Sequence, residues 1–457
     1  MPSADRPGGD GTSPNQAMST DTAFLRRDSA GLALVILTAI SAIGFVDRIV
    51  LNVLVEPIRA EFGLDDTAMG LLSGFAFGLL HVVLGLFVAR MAEKVRRLSL
   101  IALGTLLWSL ATAGTGFATT VVQLFAARIA VGVGEAIGLP SSQSTISDFV
   151  KPARRATAMS ILLLAPPIGA FLGAAGGSLV ASIFGWRSVF LFAAVPGLVL
   201  AVLLHLLLAE PPRGRYDQGD VETVPPIRAV LARFVEVRTL FHIVAGSALA
   251  SLAGYGINTF YAAMLMRRYG FTLLQAGLAN GLVAAVPATI SVMAGGMIAD
   301  RLASRMPHSY ARVPAVAMAV SPVLFIAGLW FENAWIALTL LSIAALFQFV
   351  YLGVTYGTVH NLIHPRMRVT SSAITNIIFS LIGGGLGPLL IGAASDWLGR
   401  HGFSPGAALA SAMGGVSLFY LWSALHYHLA ERTMDADLVA ARAGFGAAPP
   451  SVGGEPH

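Results

Sequence analysis

Residues 31–55 read GLALVILTAISAIGFVDRIVLNVLV, a run long enough to cross a bilayer that nevertheless carries Asp47 and Arg48 side by side near its middle. As a helix rising 1.5 Å per residue it exceeds the roughly 30 Å hydrocarbon thickness. An ionisable group at that depth costs about 2.5–3.5 kcal/mol, so it persists where it faces a polar cavity or a partner. A soluble helix with an incidental ion pair is the competing reading. Ten further intervals lacking Asp, Glu, Lys and Arg follow it, among them 67–89, 156–186 and 271–299, and they argue against that alternative. With a fourth helix near 121–147, which runs through Arg128 and Glu135, the expectation is twelve spans.

Composition agrees. Of 457 residues, 56% are hydrophobic and 12% charged, where a soluble domain has about 25% charged. No cysteine is present, which excludes disulfides and thiolate metal sites. The first 28 residues are polar and lack the apolar core of a secretory signal, so the first span is expected to direct insertion. Net charge is +5, yet the basic residues are unevenly placed: 22 of the 29 Lys and Arg fall in tails and loops on the side of the N-terminus, and 5 on the other. That asymmetry predicts both termini in the cytoplasm. It also assigns the basic groups to topology and anionic lipid headgroups, so membrane lipids are expected partners and nucleic acid is not.

The longest polar connector, 210–238, holds Pro211, Pro212, Pro225, Pro226 and five Arg. It divides the chain into a cytoplasmic tail (1–28), a six-helix lobe (29–209), the linker, a second six-helix lobe (239–430) and a cytoplasmic tail (431–457) expected to lack fixed structure. The predicted fold is an all-α polytopic membrane protein of two six-helix lobes. Weak repetition supports two halves: Ala92-Glu93-Lys94 with Arg97 recurs as Ala299-Asp300-Arg301 with Arg305, about 207 positions on. Repeated halves joined by a connector suit a transporter whose substrate sits between rocking lobes.

The fourth span contains Arg128-Ile-Ala-Val-Gly132-Val-Gly134-Glu135. A spacing of seven puts Arg128 and Glu135 on one helix face about 10 Å apart, and the glycines permit close helix contact. Asp47 and Arg128 lie at similar depths, about 15 and 12 Å from the outer ends of their helices. Glu135 is deeper, within reach of Arg48. An adjacent Arg keeps a buried carboxylate ionised, and a carboxylate that loses its Arg gains a proton. Asp47 and Glu135 are therefore candidate proton carriers, with Arg48 and Arg128 as switchable counter-ions. In the fifth span, Pro166-Pro167 frees backbone and Gly169 admits a neighbour. No His or acidic cluster has metal-ligand spacing, no phosphate-cradling glycine loop occurs, and no Ser/His/Asp set stands out. Neither an enzyme nor a cofactor is expected, and ATP-driven transport by this chain is disfavoured.

Two loop sequences, Gly85 to Arg97 and Gly295 to Arg305, resemble the Gly-x-x-x-Asp-Arg-x-Gly-Arg-Arg motif of the major facilitator superfamily, the first with Glu93 for Asp. Asp396, in Gly392-Ala-Ala-Ser-Asp396, follows the same spacing on the opposite side. Arg128 to Gly134 resembles the superfamily's fourth-helix motif, and Ala165 to Gly173 a relaxed form of its antiporter motif. The first half looks most like the bacterial Spinster-like branch, through Asp47-Arg48 with Asn52, Glu56-Pro57, Glu135, and Gly185-Trp186-Arg187 with Phe190. The resemblance implies a monomeric proton-coupled antiporter of the inner membrane that exports an amphipathic or lipid-like molecule. A symporter, a multidrug exporter and a non-transporting receptor are the alternatives. It also implies a cavity lined by Tyr255, Asn258, Tyr261, Tyr351 and Asn376, and a cytoplasmic gate of Glu93, Lys94, Arg97, Asp300 and Arg301.

Overall fold

A span in lipid must satisfy its own backbone polar groups, and the chain is accordingly almost wholly helical. The computed structural model describes residues 29–76, 78, 95–212, 215, 227–364 and 367–446. The first lobe comprises α1 (Ala30–Val53), α2 (Val55–Phe62), α3 (Asp66–Gly70), α4 (Arg97–Phe117), α5 (Val121–Phe149), α6 (Pro152–Leu162), α7 (Ala165–Phe171), α8 (Gly177–Phe184) and α9 (Trp186–Leu207). A linker helix α10 (Ile227–Glu236) leads to the second lobe: α11 (Arg238–Tyr269), α12 (Leu273–Ala303), α13 (Ser309–Trp330), α14 (Ala334–Gln348), α15 (Val350–Leu362), α16 (Arg368–Ile378), α17 (Gly387–Arg400), α18 (Pro405–Ser417) and α19 (Phe419–Gly446).

Ten stretches of the described residues are long and apolar enough to span. Helix α5 adds the charged fourth span, and α3 stands at the start of the expected second, whose remainder lies outside the described residues. The described residues thus hold eleven spans and the start of a twelfth, in keeping with six per lobe. Side-chain caps set several starts: Thr120 with Gln123 and Thr272 with Gln275 form reciprocal capping boxes, and Asn333 accepts from Trp335 and Ile336 N–H. We call the end where α1 begins and the linker lies the terminal face, and the opposite end the far face.

The expected spans are not all continuous. The fifth breaks at Leu163 and Leu164, just before Pro166-Pro167. The tenth breaks at Phe349, whose N–H turns to the Ser291 hydroxyl at 3.1 Å. Short π-helical turns at Leu71–Phe75, Leu172–Gly176 and Phe379–Leu386 interrupt spans two, five and eleven. The C-terminal expectation needs correction: the last helix continues past Glu431 to Gly446. Met434, Leu438 and Ala441, spaced four and three apart, bury one face of it, and Asp437 accepts the Thr239 N–H at 3.1 Å, capping the start of α11. The linker likewise holds a helix, α10, with Val230 and Phe234 buried.

The lobes meet at the far face, where glycines let backbones touch. A Cβ on Gly70 would lie 2.5 Å from the Pro388 carbonyl oxygen, one on Gly74 would collide with Gly384, and one on Gly392 with Asp66. On the other flank, Gly277 of α12 has room for no side chain beside Ser178 of α8. The π turns of spans two and eleven lie against each other at this seam, and that of span five lies against α12. Toward the terminal face, α5, α6, α15 and α16 make at most marginal contact across the lobes among the described residues. The interlobe cleft is therefore closed at the far face and open at the terminal face.

Candidate functional site

Helix α5 presents Gly134 to α4, close against Trp108 and Gly104, which turns Glu135 toward α1. Gly132, two residues back, is also buried. Helix α1 is held from its other side by a glycine stripe of the fifth span: Gly169 against the Ala42 carbonyl, Gly173 against Val46 and Gly177 against Val50. Close helix approach on both sides brings all four intramembrane charges together. Arg128 Nη1 meets Asp47 Oδ2 at 2.9 Å, and the Thr112 hydroxyl donates to Asp47 Oδ1 at 2.7 Å. Arg48 reaches Glu135 Oε2 with both Nε and Nη2 at 2.6 Å. Asp47, Arg128 and Glu135 are each no more than 5% exposed. The Arg48 side chain is 35% exposed toward the cleft and lies over the Phe45 ring. The quartet is neutral when ionised, which is how lipid-depth charges are accommodated.

A second polar cluster locks the far face. Arg267, at the end of α11, donates Nη1 and Nη2 to the two oxygens of Asp66 at 2.7 Å and Nε to Glu56 at 2.6 Å, across the lobes. Asp66 also accepts from Ser395 at 2.7 Å. Asp396 of α17 accepts the N–H groups of Asp66 and Thr67 at 3.0 and 2.7 Å, and so caps the N-terminus of α3 from the opposite lobe. Burial alone would push the Asp66 carboxyl up, but Arg267, Ser395 and Arg59 hold it below the ordinary range. Nearby, hydrogen bonds from Arg187 and Trp186 lower Glu61, tying α2 to α9.

The sequence-derived lists divide. Asp47, Arg48, Arg128 and Glu135 form one site. Tyr255 is half exposed and faces Arg48, Asn258 donates to the Gly254 carbonyl at 2.8 Å, and exposed Asn376 accepts from Tyr356 at 2.7 Å. Tyr261 and Tyr351 do not line the open cleft: both are buried within the second lobe, Tyr351 edge-on to Phe379. Glu93 and Lys94 lie outside the described residues. Arg97 is buried inside its own lobe, paired with Asp148 at 2.6 Å and Glu210 at 3.6 Å. Asp300 accepts from Tyr310 of its own lobe at 2.8 Å, and Arg301 is exposed. In this conformation the partners given above for Arg97 and Asp300 lie within their own lobes, and the terminal face is open among the described residues. Of the far-face lock, the sequence reading held Asp396 by its spacing but not Asp66 or Arg267, which sit at the start of α3 and near the end of α11 without a repeat to flag them.

Residues 36–388 match the sequence model of the Major Facilitator Superfamily. An MFS-type efflux pump of Mycolicibacterium smegmatis is 28% identical over 399 residues, covering 85% of this chain and 90% of the relative. Protein spinster homolog 3 of Danio rerio is 25% identical over 432 residues, covering 87% and 82% respectively. A solved bacterial homolog to the human lysosomal transporter Spinster, inward-facing and unoccupied, superimposes with a TM-score of 0.82 at 28% identity, covering 89% of this chain and 98% of that one. The helical bundle is thus shared with transporters rather than enzymes, and the chain belongs to the major facilitator superfamily.

Proposed function

We propose that this transporter is a proton-coupled antiporter exporting an amphipathic or lipid-like molecule by alternating access. In this reading the terminal face is cytoplasmic, the membrane is the inner membrane, and the conformation described is inward-facing. The single observation that carries the coupling is the pairing of Asp47 with Arg128 and of Glu135 with Arg48 under cover of three helices. Paired, each carboxylate has a cation beside it to balance its charge. When lobe motion withdraws an Arg, a carboxylate at that depth takes a proton. Export draws support from the efflux-pump relative, and an amphipathic cargo from the resemblance to the Spinster-like branch and from half-exposed Tyr255 and exposed Asn376 among apolar helix faces.

The experiment is a substrate panel in proteoliposomes enclosing a pH dye, with and without an imposed proton gradient. Asp47→Asn and Glu135→Gln abolish coupled proton movement while leaving folded protein; coupled flux retained in both variants refutes the assignment. A symporter moves protons in the same direction as substrate. A receptor with this fold binds ligand without counterflow.

A further inference from the structure

The two carboxylates of the quartet are not equivalent. Both oxygens of Asp47 are occupied, one by Thr112 and one by Arg128. Glu135 commits Oε2 to Arg48, while its Oε1 is buried and has no hydrogen-bond partner among the described residues. An unpaired polar atom under cover costs free energy, and more when it carries charge. Yet Glu135 borders a cavity of about 40 Å³, walled by Ile40, Ser41, Gly44, Phe45, Arg48 and Trp108. At about 10–15 Å³ of probe space per water, it has room for about three. The wall is polar where a water needs it: Glu135 and Arg48 on one side, and on the other the Ser41 hydroxyl, which donates to Leu37 O at 2.9 Å and keeps its lone pairs free to accept.

Gly44 explains why there is room. Among the described residues a Cβ built there meets nothing within 4 Å, unlike those on Gly134 and Gly169 beside the same helices. Close packing therefore does not account for a glycine at this position; an unfilled volume next to Glu135 does.

We infer that this cavity is an internal water site that delivers the transported proton to Glu135 Oε1, with Gly44 keeping it open and Asp47 remaining a fixed counter-ion. The inference rests on the coupling role proposed for the quartet. In the step, a hydronium at the cleft side gives up a proton along the waters, an O–H bond forms at Oε1, and a neutral water is left behind. Glu135 becomes a carboxylic acid and Arg48 keeps its charge. The charged or titratable groups facing Glu135 are Arg48 and Asp47 from α1, and Arg128 from its own helix; Tyr255 of α11 faces Arg48 from the other lobe.

Infrared difference spectroscopy on the purified full chain tests this, following the carboxylic C=O band through a pH step and its shift on transfer into D₂O. The wild type should gain a band that Glu135→Gln removes and Asp47→Asn retains. Gly44→Leu, which fills the cavity, should keep the band but slow its deuterium shift by about tenfold or more, the factor that about 1.4 kcal/mol of added barrier gives. Gly44→Ala, the milder filling, should slow it less. A wild-type exchange rate in folded Gly44→Leu, with Glu135→Gln still removing the band, overturns the cavity alone and leaves the coupling role standing. A band lost in Asp47→Asn but kept in Glu135→Gln overturns the choice of carrier, and no band in the wild type overturns the coupling role as well.

Discussion

Removing the Arg267 side chain should open the far face. Its guanidinium makes three charge-assisted bonds across the lobes, and Arg267 and Asp66 are only 7% and 6% exposed in their side chains. In Arg267→Ala, closure would bury Asp66 with only Arg59, 4.0 Å away, as a nearby cation; a buried charge left wholly unpaired costs about 3–5 kcal/mol, and Arg59 holds the loss to the lower part of that range. At about 1.4 kcal/mol per decade that shifts the closed-to-open ratio by about 10²–10⁴; water entering the widened seam favours the lower end. The absence of cysteine makes a clean reporter possible. Ser178 is fully buried against Gly277 of the other lobe, so the near-isosteric Ser178→Cys is shielded while the far face is closed and reacts with a membrane-impermeant maleimide when it opens. Adding Arg267→Ala should raise its labelling rate about 100-fold, toward the limit set by a free thiol. Adding Asp66→Asn as well removes the stranded charge and should return the rate to within about tenfold of the parent. Unchanged labelling in a folded, monodisperse Arg267→Ala variant would refute the idea that this cluster holds the lobes together.

The remaining expectations use related assays. Gly74→Ala should also open the seam, because its Cβ would collide with Gly384 of the other lobe and overpacking costs about 1–3 kcal/mol; unaltered Ser178→Cys labelling would contradict it. The Asp66 carboxyl is held below its ordinary value in the closed form, so the lock is at full strength above that ordinary value, near pH 3.9, and weakens only as pH falls through the lowered one. In the Glu135→Gln background, where the quartet no longer responds to pH, Ser178→Cys labelling relative to a free thiol should therefore not change between about pH 8 and about pH 5, and a loosening of the lock within that window would be inconsistent with the geometry. Asp437→Ala removes the acceptor at the start of α11, worth about 0.5–2 kcal/mol, and should speed amide hydrogen exchange in residues 431–446; wild-type protection there would mean the C-terminal helix is held by Met434 and its apolar neighbours alone.

Chain segments longer than the bilayer and nearly free of charge left little choice of architecture, so the spans, their two halves and the linker could be read from hydropathy and charge placement. The quartet was readable for the same reason: charges at lipid depth are rare enough that helical spacing alone paired them, and the structure joins Asp47 to Arg128 and Arg48 to Glu135. What could not be read depends on tertiary contact or on the captured state. The Phe349 break is set by a hydroxyl on a neighbouring span, Ser291, and no residue near Phe349 announces it. The last helix looked like a tail because Met434, Leu438 and Ala441 are thinly spaced among charges, a pattern that is decided only once α11 offers a surface. Tyr261 and Tyr351 were grouped with Tyr255 by helix number, but helix rotation buries the first two and exposes the third. Arg97 sits in a motif that suggests an interlobe contact, and with the terminal face open it pairs within its own lobe instead.

The central claim is that losing the Arg–carboxylate pairs and gaining a proton are one event, linked to the change of open face. In the Ser178→Cys background, labelling at each pH is divided by that of a freely exposed cysteine, because maleimide attacks the thiolate, whose fraction falls below about pH 8.5; the far-face lock does not titrate between about pH 8 and about pH 5, so a change in this ratio reports the quartet. The account predicts that the ratio rises as pH falls, and that Glu135→Gln, neutral at every pH, labels fast throughout and no longer responds. A ratio that is flat with pH in the parent, or a Glu135→Gln variant that stays closed and keeps the parent's pH response, would contradict it.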